Sequence, residues 1–284
     1  MGRILHLVVL AVGLLVATST AARDADRGSQ SNVCRSEILG TAAVAPQEKI
    51  AACSALLASA NIDARQRSTY FIYRANAYAA LDDQLRQRAD LVSAIDADPK
   101  NSYAWAKNCA AHNWGVADKS RALVHCDMAL KLNPADAGAW THRGDVYLDM
   151  ARYPEAISDY SRSIRLHKTW MWPWINRGVA YRRMGRVDLA IENFDRALRL
   201  SPDFSEGYVE RGITRLVEGR LDLALVDFER GLKVHDRCAK CVYGRAVIRA
   251  RRGDPQGSAI DRAQAVAWDA NAARDFAAEN IRSD

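Results

Sequence analysis

The sequence of 284 residues lacks the local signatures of an enzyme site. It contains no glycine-rich phosphate loop, no His-Glu-x-x-His zinc motif and no recognisable Ser-His-Asp arrangement. Its six histidines are scattered, and we interpret them as packing or hydrogen-bonding residues. The alternation of apolar and polar residues that is typical of β-strands is missing as well. These absences predict a non-catalytic, all-α protein that holds no metal ion and no cofactor.

Long hydrophobic runs are also scarce. The one marked apolar stretch, Ile4 to Ala17, follows Arg3 and precedes the small residues Thr20-Ala21-Ala22. At about 14 residues it is shorter than the roughly 20 residues that span a membrane. This order of features is typical of a cleaved signal peptide. We therefore expect residues 1–22 to be removed and the mature protein to be exported, to the periplasm or the extracellular space, without a transmembrane span. An uncleaved anchor is the alternative.

What the sequence does have is a phrase repeated at a step of about 34 residues. An aromatic residue is followed three positions later by Arg, then directly by a small residue, and then by Tyr or another long side chain. The phrase occurs at Phe71-Arg74-Ala75-Tyr78, Trp140-Arg143-Gly144-Tyr147, Trp174-Arg177-Gly178-Tyr181 and Tyr208-Arg211-Gly212-Arg215, with variants at Trp105-Asn108-Cys109-His112 and Val242-Arg245-Ala246-Arg249.

The second half of each repeat has its own pattern. A small residue is followed four positions later by a large one and three positions after that by another small one, as in Ala190, Phe194 and Ala197. Steps of three and four place these residues on one face of a helix. Pro99, Pro134 and Pro202 end three of the repeats, because proline cannot continue a helix. Each repeat therefore predicts two antiparallel helices.

This pattern resembles the tetratricopeptide repeat family, whose unit carries Trp, Leu, Gly, Tyr, Ala, Phe, Ala and Pro at fixed positions. The likeness covers about residues 68–268. It implies an all-α, right-handed superhelical solenoid of about six units, starting near residues 68, 102, 137, 171, 205 and 239. We expect residues 23–33 to be a disordered leader, 34–67 an N-terminal capping half-unit and 269–284 a C-terminal cap helix. Several further motifs resemble those of exported alpha-proteobacterial tetratricopeptide proteins of unassigned function. They are Cys34 with Ile50-Ala51-Ala52-Cys53, Asn176-Arg177-Gly178, Tyr243-Gly244-Arg245 and Arg252-Gly253-Asp254.

One departure from the family pattern recurs, because Arg replaces the usual Leu in five of the six repeats. An acid or amide follows each such Arg after sixteen positions. Since Arg and a carboxylate form strong, oriented hydrogen bonds, we predict a structural staple within a repeat or between neighbouring repeats. The predicted pairs are Arg74/Asp90, Arg143/Asp159, Arg177/Asn193, Arg211/Asp227 and Arg245/Asp261.

Six cysteines in an exported chain predict disulfide bonds. We expect the pairs Cys34/Cys53, Cys109/Cys126 and Cys238/Cys241. Cys109 and Cys126 occupy facing packing positions of repeat two, so a bridge between its helices is geometrically plausible. Cys238-x-x-Cys241 leaves two alternatives, a thiol–disulfide exchange site or half of a zinc site. We favour a structural disulfide, because the motif has no strand context and no further ligand pair is evident.

The family's ligand groove is lined by the first helices of its repeats, and the resemblance implies a groove here. Some members bind a carboxylate there through Lys and Asn, but Ile72 stands at the Lys position, so we do not transfer that activity. The expected groove residues are Asn76, Trp114, Asp145, Asp149, Trp172, Ile175, Arg182, Arg183, Val209, Ile213, Tyr243 and Arg251.

The net charge of +6 favours an acidic partner, and export disfavours nucleic acid. We therefore expect a non-catalytic exported adaptor that binds a protein or peptide in its groove. The alternatives are a thiol–disulfide oxidoreductase that uses Cys238 and Cys241, and a structural component of an envelope or secretion assembly.

Overall fold

A computed structural model describes residues 28–35, 44–113, 119–279 and 281 of the chain. The predicted signal peptide, the first part of the leader and Trp114 lie outside these residues. The described residues form helices and no strand, which confirms the all-α fold class. None of their helices combines the length and the hydrophobicity needed to cross a membrane. The chain divides into two compact units, which meet in sequence after Pro134.

The N-terminal unit consists of consecutive packed helices. The helices described in this unit are α1 (28–35), α2 (Pro46–Leu57), α3 (Ala64–Ala79), α4 (Gln84–Ala97), α5 (Ser102–Asn113) and α6 (Lys119–Leu132). Helix α2 packs on α3, α3 pairs with α4, and α5 pairs with α6, as the repeat pattern predicts.

The C-terminal unit continues the same scheme with four helix pairs and a short last helix. Its helices are α7 (Ala137–Asp149), α8 (Tyr153–Leu166), α9 (Trp172–Arg183), α10 (Val187–Leu200), α11 (Ser205–Val217), α12 (Leu221–Val234), α13 (Ala239–Arg251), α14 (Pro255–Trp268) and α15 (Ala272–Ala277). Each first helix packs on the second helix of its own repeat, and α9, α11 and α13 also pack on the second helix of the repeat before theirs.

Small residues on the first helices make room for large residues on the second helices. A Cβ atom added to Gly144 would lie 2.7 Å from the ring of Tyr160, and one added to Gly178 would lie 2.6 Å from the ring of Phe194. Both rings are fully buried. The periodic small and large residues of the sequence are therefore the contact points within each helix pair, which is why they recur.

The two ends of the chain differ from the sequence predictions. Residues 28–35 are helical, although residues 23–33 were predicted to be a disordered leader. Cys34 of this helix is buried beside Cys53 and Leu56 of α2, and this packing supplies the apolar burial that the polar sequence did not indicate. At the other end, the cap helix α15 covers Ala272–Ala277, less than the predicted 269–284.

Candidate functional site

The structure brings each predicted Arg together with its partner sixteen residues later. In repeat one, Arg74 Nε and Nη2 donate to the two carboxylate oxygens of Asp90, both at 2.7 Å. The other pairs join the first and second helix of their repeats in the same way. They are Arg143–Asp159 at 2.7 and 2.9 Å, Arg177–Asn193 at 2.9 Å, Arg211–Asp227 at 2.6 to 3.2 Å and Arg245–Asp261 at 2.8 Å.

Three of these arginines also contact the helix before their own repeat. Arg177 Nη1 donates to Ser161 Oγ of α8 at 2.9 Å, and Arg211 Nη1 pairs with Asp195 of α10 at 2.5 Å. Arg74 reaches Ser54 of α2 in the same manner, at 2.9 Å. The staple therefore connects the two helices of one repeat and also connects consecutive repeats. These are the two arrangements that the sequence predicts as alternatives.

The staples differ in the charge of the residue that pairs with the arginine. Hydrogen bonding to Asp90 raises the pKa of Arg74, and hydrogen bonding to Asp261 likewise raises the pKa of Arg245. Burial lowers the pKa of Arg177, whose partner Asn193 is neutral. Because the same arrangement tolerates an amide in place of a carboxylate, the staple serves the scaffold and needs no ligand to complete it.

The six cysteines lie in the three predicted pairs. The sulfur atoms are 2.09 Å apart in Cys34/Cys53, 1.96 Å in Cys109/Cys126 and 2.06 Å in Cys238/Cys241. In repeat two, the pair Cys109/Cys126 stands where repeats three to five pack a glycine against an aromatic ring, and both residues are fully buried. The pair therefore replaces the apolar contact that this repeat lacks.

Cys238 and Cys241 begin helix α13. The Cys238 sulfur accepts a hydrogen bond from the Cys241 backbone N–H at 3.2 Å, so it caps the helix. Cys241 has no exposed surface and Cys238 is buried at 7% exposure. The described residues contain no group of three or more potential metal ligands. Burial of both sulfur atoms disfavours attack by an external thiol or disulfide, which requires access.

Removal of the disulfide in repeat two is expected to be more costly than removal of the one at α13. Cys109 and Cys126 enclose a separation of 17 residues, whereas Cys238 and Cys241 are separated by 3. In the chain-entropy model, the first contributes about 3 kcal/mol and the second roughly half as much. Denaturant unfolding of the variants C109A/C126A and C238A/C241A under oxidising conditions measures the difference. Equal losses from the two variants would contradict this account.

Of the twelve expected groove residues, five cannot offer a free surface because they are buried. These five are Ile175, Arg182, Val209, Ile213 and Tyr243. Asn76 and Asp145 are half-buried, and Asp149, Trp172, Arg183 and Arg251 are exposed. The expectation of one open groove along all first helices is therefore corrected for the C-terminal unit, where residues that follow α14 cover part of that face.

Asp145 and Trp172 also have structural contacts. Asp145 accepts hydrogen bonds from Tyr160 Oη and Asn176 Nδ2, both at 2.8 Å, so it links α7, α8 and α9. Burial, reinforced by the nearby Asp145 charge, raises the pKa of Tyr160 well above its usual value, and its hydroxyl stays a donor. Trp172 packs edge-on against Phe204 with ring centroids 4.8 Å apart. Both residues therefore help to hold neighbouring helices together.

An open cleft does exist on the first helices of the N-terminal unit. It has a volume of about 410 Å³ and is formed by the start of α3 and the turn into α5. We call it the α3–α5 cleft. Its walls include two cations, one carboxylate and two tyrosines as well as hydroxyl and amide groups. The residues that line it are Arg65, Thr69, Ile72, Tyr73, Asp98, Lys100, Asn101, Ser102 and Tyr103.

Local hydrogen bonds fix the position of this cleft. Asn101 Nδ2 donates to Ser68 Oγ of α3 at 2.9 Å, and Asn101 Oδ1 accepts from the backbone N–H of Tyr103 at 3.1 Å. The side chains of Arg65 and Lys100 are exposed. Neither cation has an ion pair with any other described residue. The cleft therefore presents positive charge and aromatic surface on a preformed backbone.

The expected groove residues do not include those that line the cleft. The cleft is formed by the start of α3 and the turn into α5. Thr69 and Tyr103 stand at the same repeat position as Trp172, so the repeat register itself carried the signal. Arg65 and Lys100 lie before their helices' repeated phrases, and no periodic pattern marks them.

Comparison with known proteins agrees with this architecture. Sequence models of the tetratricopeptide repeat match residues 137–168 and 172–204, so the chain contains tetratricopeptide repeats. No curated protein matches the sequence significantly.

Several solved structures have a similar fold. A tetratricopeptide repeat protein from Parabacteroides merdae has a TM-score of 0.67 at 15% identity, over 84% of this chain and 91% of that one. PilW, a type IV pilus biogenesis factor, has a TM-score of 0.64 at 21% identity, over 70% and 92%. Pseudomonas aeruginosa PilF has 0.60 at 17%, over 75% and 97%. At these identities the similarity shows the fold alone. Stacked helical repeats of this kind form extended concave surfaces that are suited to binding.

Proposed function

We propose that this protein is an exported, non-catalytic adaptor whose α3–α5 cleft binds an acidic segment of a partner protein. The observation that carries the proposal is a pair of cations, Arg65 and Lys100, that form no ion pair among the described residues and line a cleft of about 410 Å³ that also contains Tyr73 and Tyr103. Stacked helix pairs hold the cleft in place before binding, so little conformational entropy is lost on the receptor side.

The chemistry of the cleft points to a peptide with both acidic and apolar or aromatic side chains. Arg65 can hold a carboxylate through two parallel hydrogen bonds, and Lys100 supplies a second positive charge. The ring of Tyr103, which is 45% exposed, offers a flat surface for a partner's aromatic side chain. Charge pairing of this kind chiefly sets the association rate and the choice of partner.

Selection from a library of short random peptides tests the proposal. We expect the wild-type protein to enrich peptides that contain acidic residues together with an aromatic one. The double variant R65A/K100A is expected to bind the selected peptides about tenfold more weakly, because two charge contacts are lost. Fluorescence anisotropy of the labelled peptides at low salt measures the affinities.

The matched control is K168A/R199A, which also removes one Lys and one Arg, both from exposed positions of the C-terminal unit. We expect its affinity for the same peptides to equal that of the wild type. Enrichment of peptides without acidic residues, or an equal loss of affinity in both variants, would show that the α3–α5 cleft is not the binding site.

The rival enzymatic function is disfavoured by the burial of Cys238 and Cys241. An insulin-reduction assay decides between the two functions, and we expect no activity above that of a C238A/C241A variant.

The second rival, a structural component of an assembly, predicts stable oligomers of the isolated protein, which light scattering after size-exclusion chromatography would reveal. The proposed export is tested by fractionation of cells that express the full chain.

A further inference from the structure

The residues that follow α14 lie on the first helices of the C-terminal unit. We call residues 269–279 and 281 the closing segment. Phe276 is fully buried, with its ring centroid 5.0 Å from that of Tyr243 on α13 and 6.2 Å from that of Phe228 on α12. Ile281 belongs to the same apolar cluster, together with Val209 and Ile213 of α11. The closing segment therefore covers part of the face on which the repeat pattern predicts a groove.

Acidic side chains of the closing segment meet cations of that face. Glu279 Oε1 lies 2.7 Å from Arg182 Nη2 and 2.8 Å from Arg183 Nη2. Asp275 Oδ2 lies 3.3 Å from Lys240 Nζ. Arg183 also donates to the backbone carbonyl of Ala278 at 2.9 Å. The closing segment is thus bound by two acidic anchors on either side of one aromatic anchor, which is the pattern of a peptide ligand in a groove.

Few interactions within the closing segment stabilise its helix, α15. Helix α15 has six residues, and no side-chain hydrogen bond caps its start. Helices this short are not stable alone in water. The conformation of the segment consequently depends on its contacts with α9, α11 and α13, as it would for a peptide that folds on binding.

The closing segment leaves one buried donor on this face unsatisfied. Arg182 is almost completely buried, and its Nη atoms are held by Glu210 and Glu279, but Nε has no hydrogen-bond partner among the described residues. An unpaired buried donor carries a desolvation penalty. A ligand that offers a further carboxylate or carbonyl oxygen at this point would satisfy Nε and would compete with the closing segment.

We propose that the closing segment is a displaceable occupant of a second peptide-binding surface, formed by α9, α11 and α13. The partner that replaces it is a helical peptide with an aromatic residue between acidic residues, at the spacing of Asp275, Phe276 and Glu279. This inference rests on the proposed protein-binding function. It adds a second binding surface, which the chain's own closing segment occupies. The apparent affinity of the surface for such a peptide is the intrinsic affinity multiplied by the fraction of molecules in which the segment is undocked.

Native-state hydrogen exchange of the full chain tests the displaceable state without a partner. The backbone N–H groups of Ala278, Glu279 and Ile281 bond within the closing segment. We expect them to exchange at least about 100-fold faster than the N–H groups inside α13, because the segment opens locally while the repeats stay folded. Exchange at the same rate as α13 would show that the segment is a permanent part of the core and would overturn the proposal.

A peptide of residues 269–284, labelled and added to the full chain, tests the surface itself. We expect the variant D275N/E279Q to bind it about tenfold more tightly than the wild type, because the weakened segment competes less. The same peptide with Phe276→Ala should bind neither protein. The control D188N/E192Q removes the same two charges from exposed positions of α10 and should behave as the wild type.

The outcomes separate this inference from the function proposed above. If D275N/E279Q stays folded and binds no peptide, or if it unfolds, the segment is a fixed structural cap and the inference is wrong. The effect of R65A/K100A on the α3–α5 cleft is measured independently, because those residues belong to the N-terminal unit. Failure of one test therefore leaves the result of the other intact.

Discussion

The substitution Asp227→Ala is expected to lower the free energy of unfolding by about 3–5 kcal/mol, since it leaves Arg215 without its acidic partner and Arg211 with Asp195 alone. Asp227 has no exposed side-chain surface, and its two oxygens pair with Arg211 and Arg215 at 2.6 and 2.7 Å. Both arginines are largely buried as well. Chemical denaturation of the full chain, followed by far-UV circular dichroism, measures the loss.

Asp222→Ala is the matched control, because Asp222 also pairs with an arginine, Arg252, but is 95% exposed. Exposed ion pairs contribute little to stability, so the unfolding curve should coincide with that of the wild type. Asp227→Asn should fall between the two, since Arg177 already pairs with the amide of Asn193 in repeat four. A similar loss for Asp222→Ala and Asp227→Ala would refute the view that burial makes the staple important.

The staple could be predicted because it is periodic. A contact that recurs in each repeat leaves the same two residue types at the same spacing, and five copies of Arg with an acid or amide made the pairing recognisable. The small and large packing residues were found for the same reason. Periodicity also explains why residues such as Ile175 and Val209 were assigned to a groove, because the register describes a typical repeat with a free first-helix face.

The closing segment could not be predicted because it occurs once. Arg182 and Glu279 are 97 residues apart in sequence, and no pattern relates them. The apolar residues Phe276 and Ile281 indicated that this segment packs on the last repeats. They did not indicate which face of those repeats it covers. The α3–α5 cleft was missed on similar grounds, since Arg65 and Lys100 precede the repeated phrases. The closing segment and the α3–α5 cleft are specific to this protein, and both depend on residues that the repeat pattern does not describe.

The substitution Gly244→Val is expected to lower the free energy of unfolding by roughly 3 kcal/mol, at the upper end of the usual range for overpacked cores. A Cβ atom at Gly244 would lie 2.4 Å from two ring atoms of Phe228. The ring cannot move away easily, because Gly212 of α11 and Phe276 of the closing segment also pack against it. Far-UV circular dichroism during denaturant unfolding again provides the measurement.

Two further variants identify the cause of this loss. Gly28→Val should change stability little, because no atom of the described residues beyond its own stretch of helix lies within 4 Å of the Cβ position at Gly28. Phe228→Leu shortens the side chain that Val would meet, so the double variant F228L/G244V should lose less than the sum of the single losses. Additive losses would mean that Gly244 is needed for a reason other than the close approach of α13 to the Phe228 ring. Since Phe276 packs on the same ring, the closing segment of F228L/G244V should also exchange its amide hydrogens faster than that of the wild type.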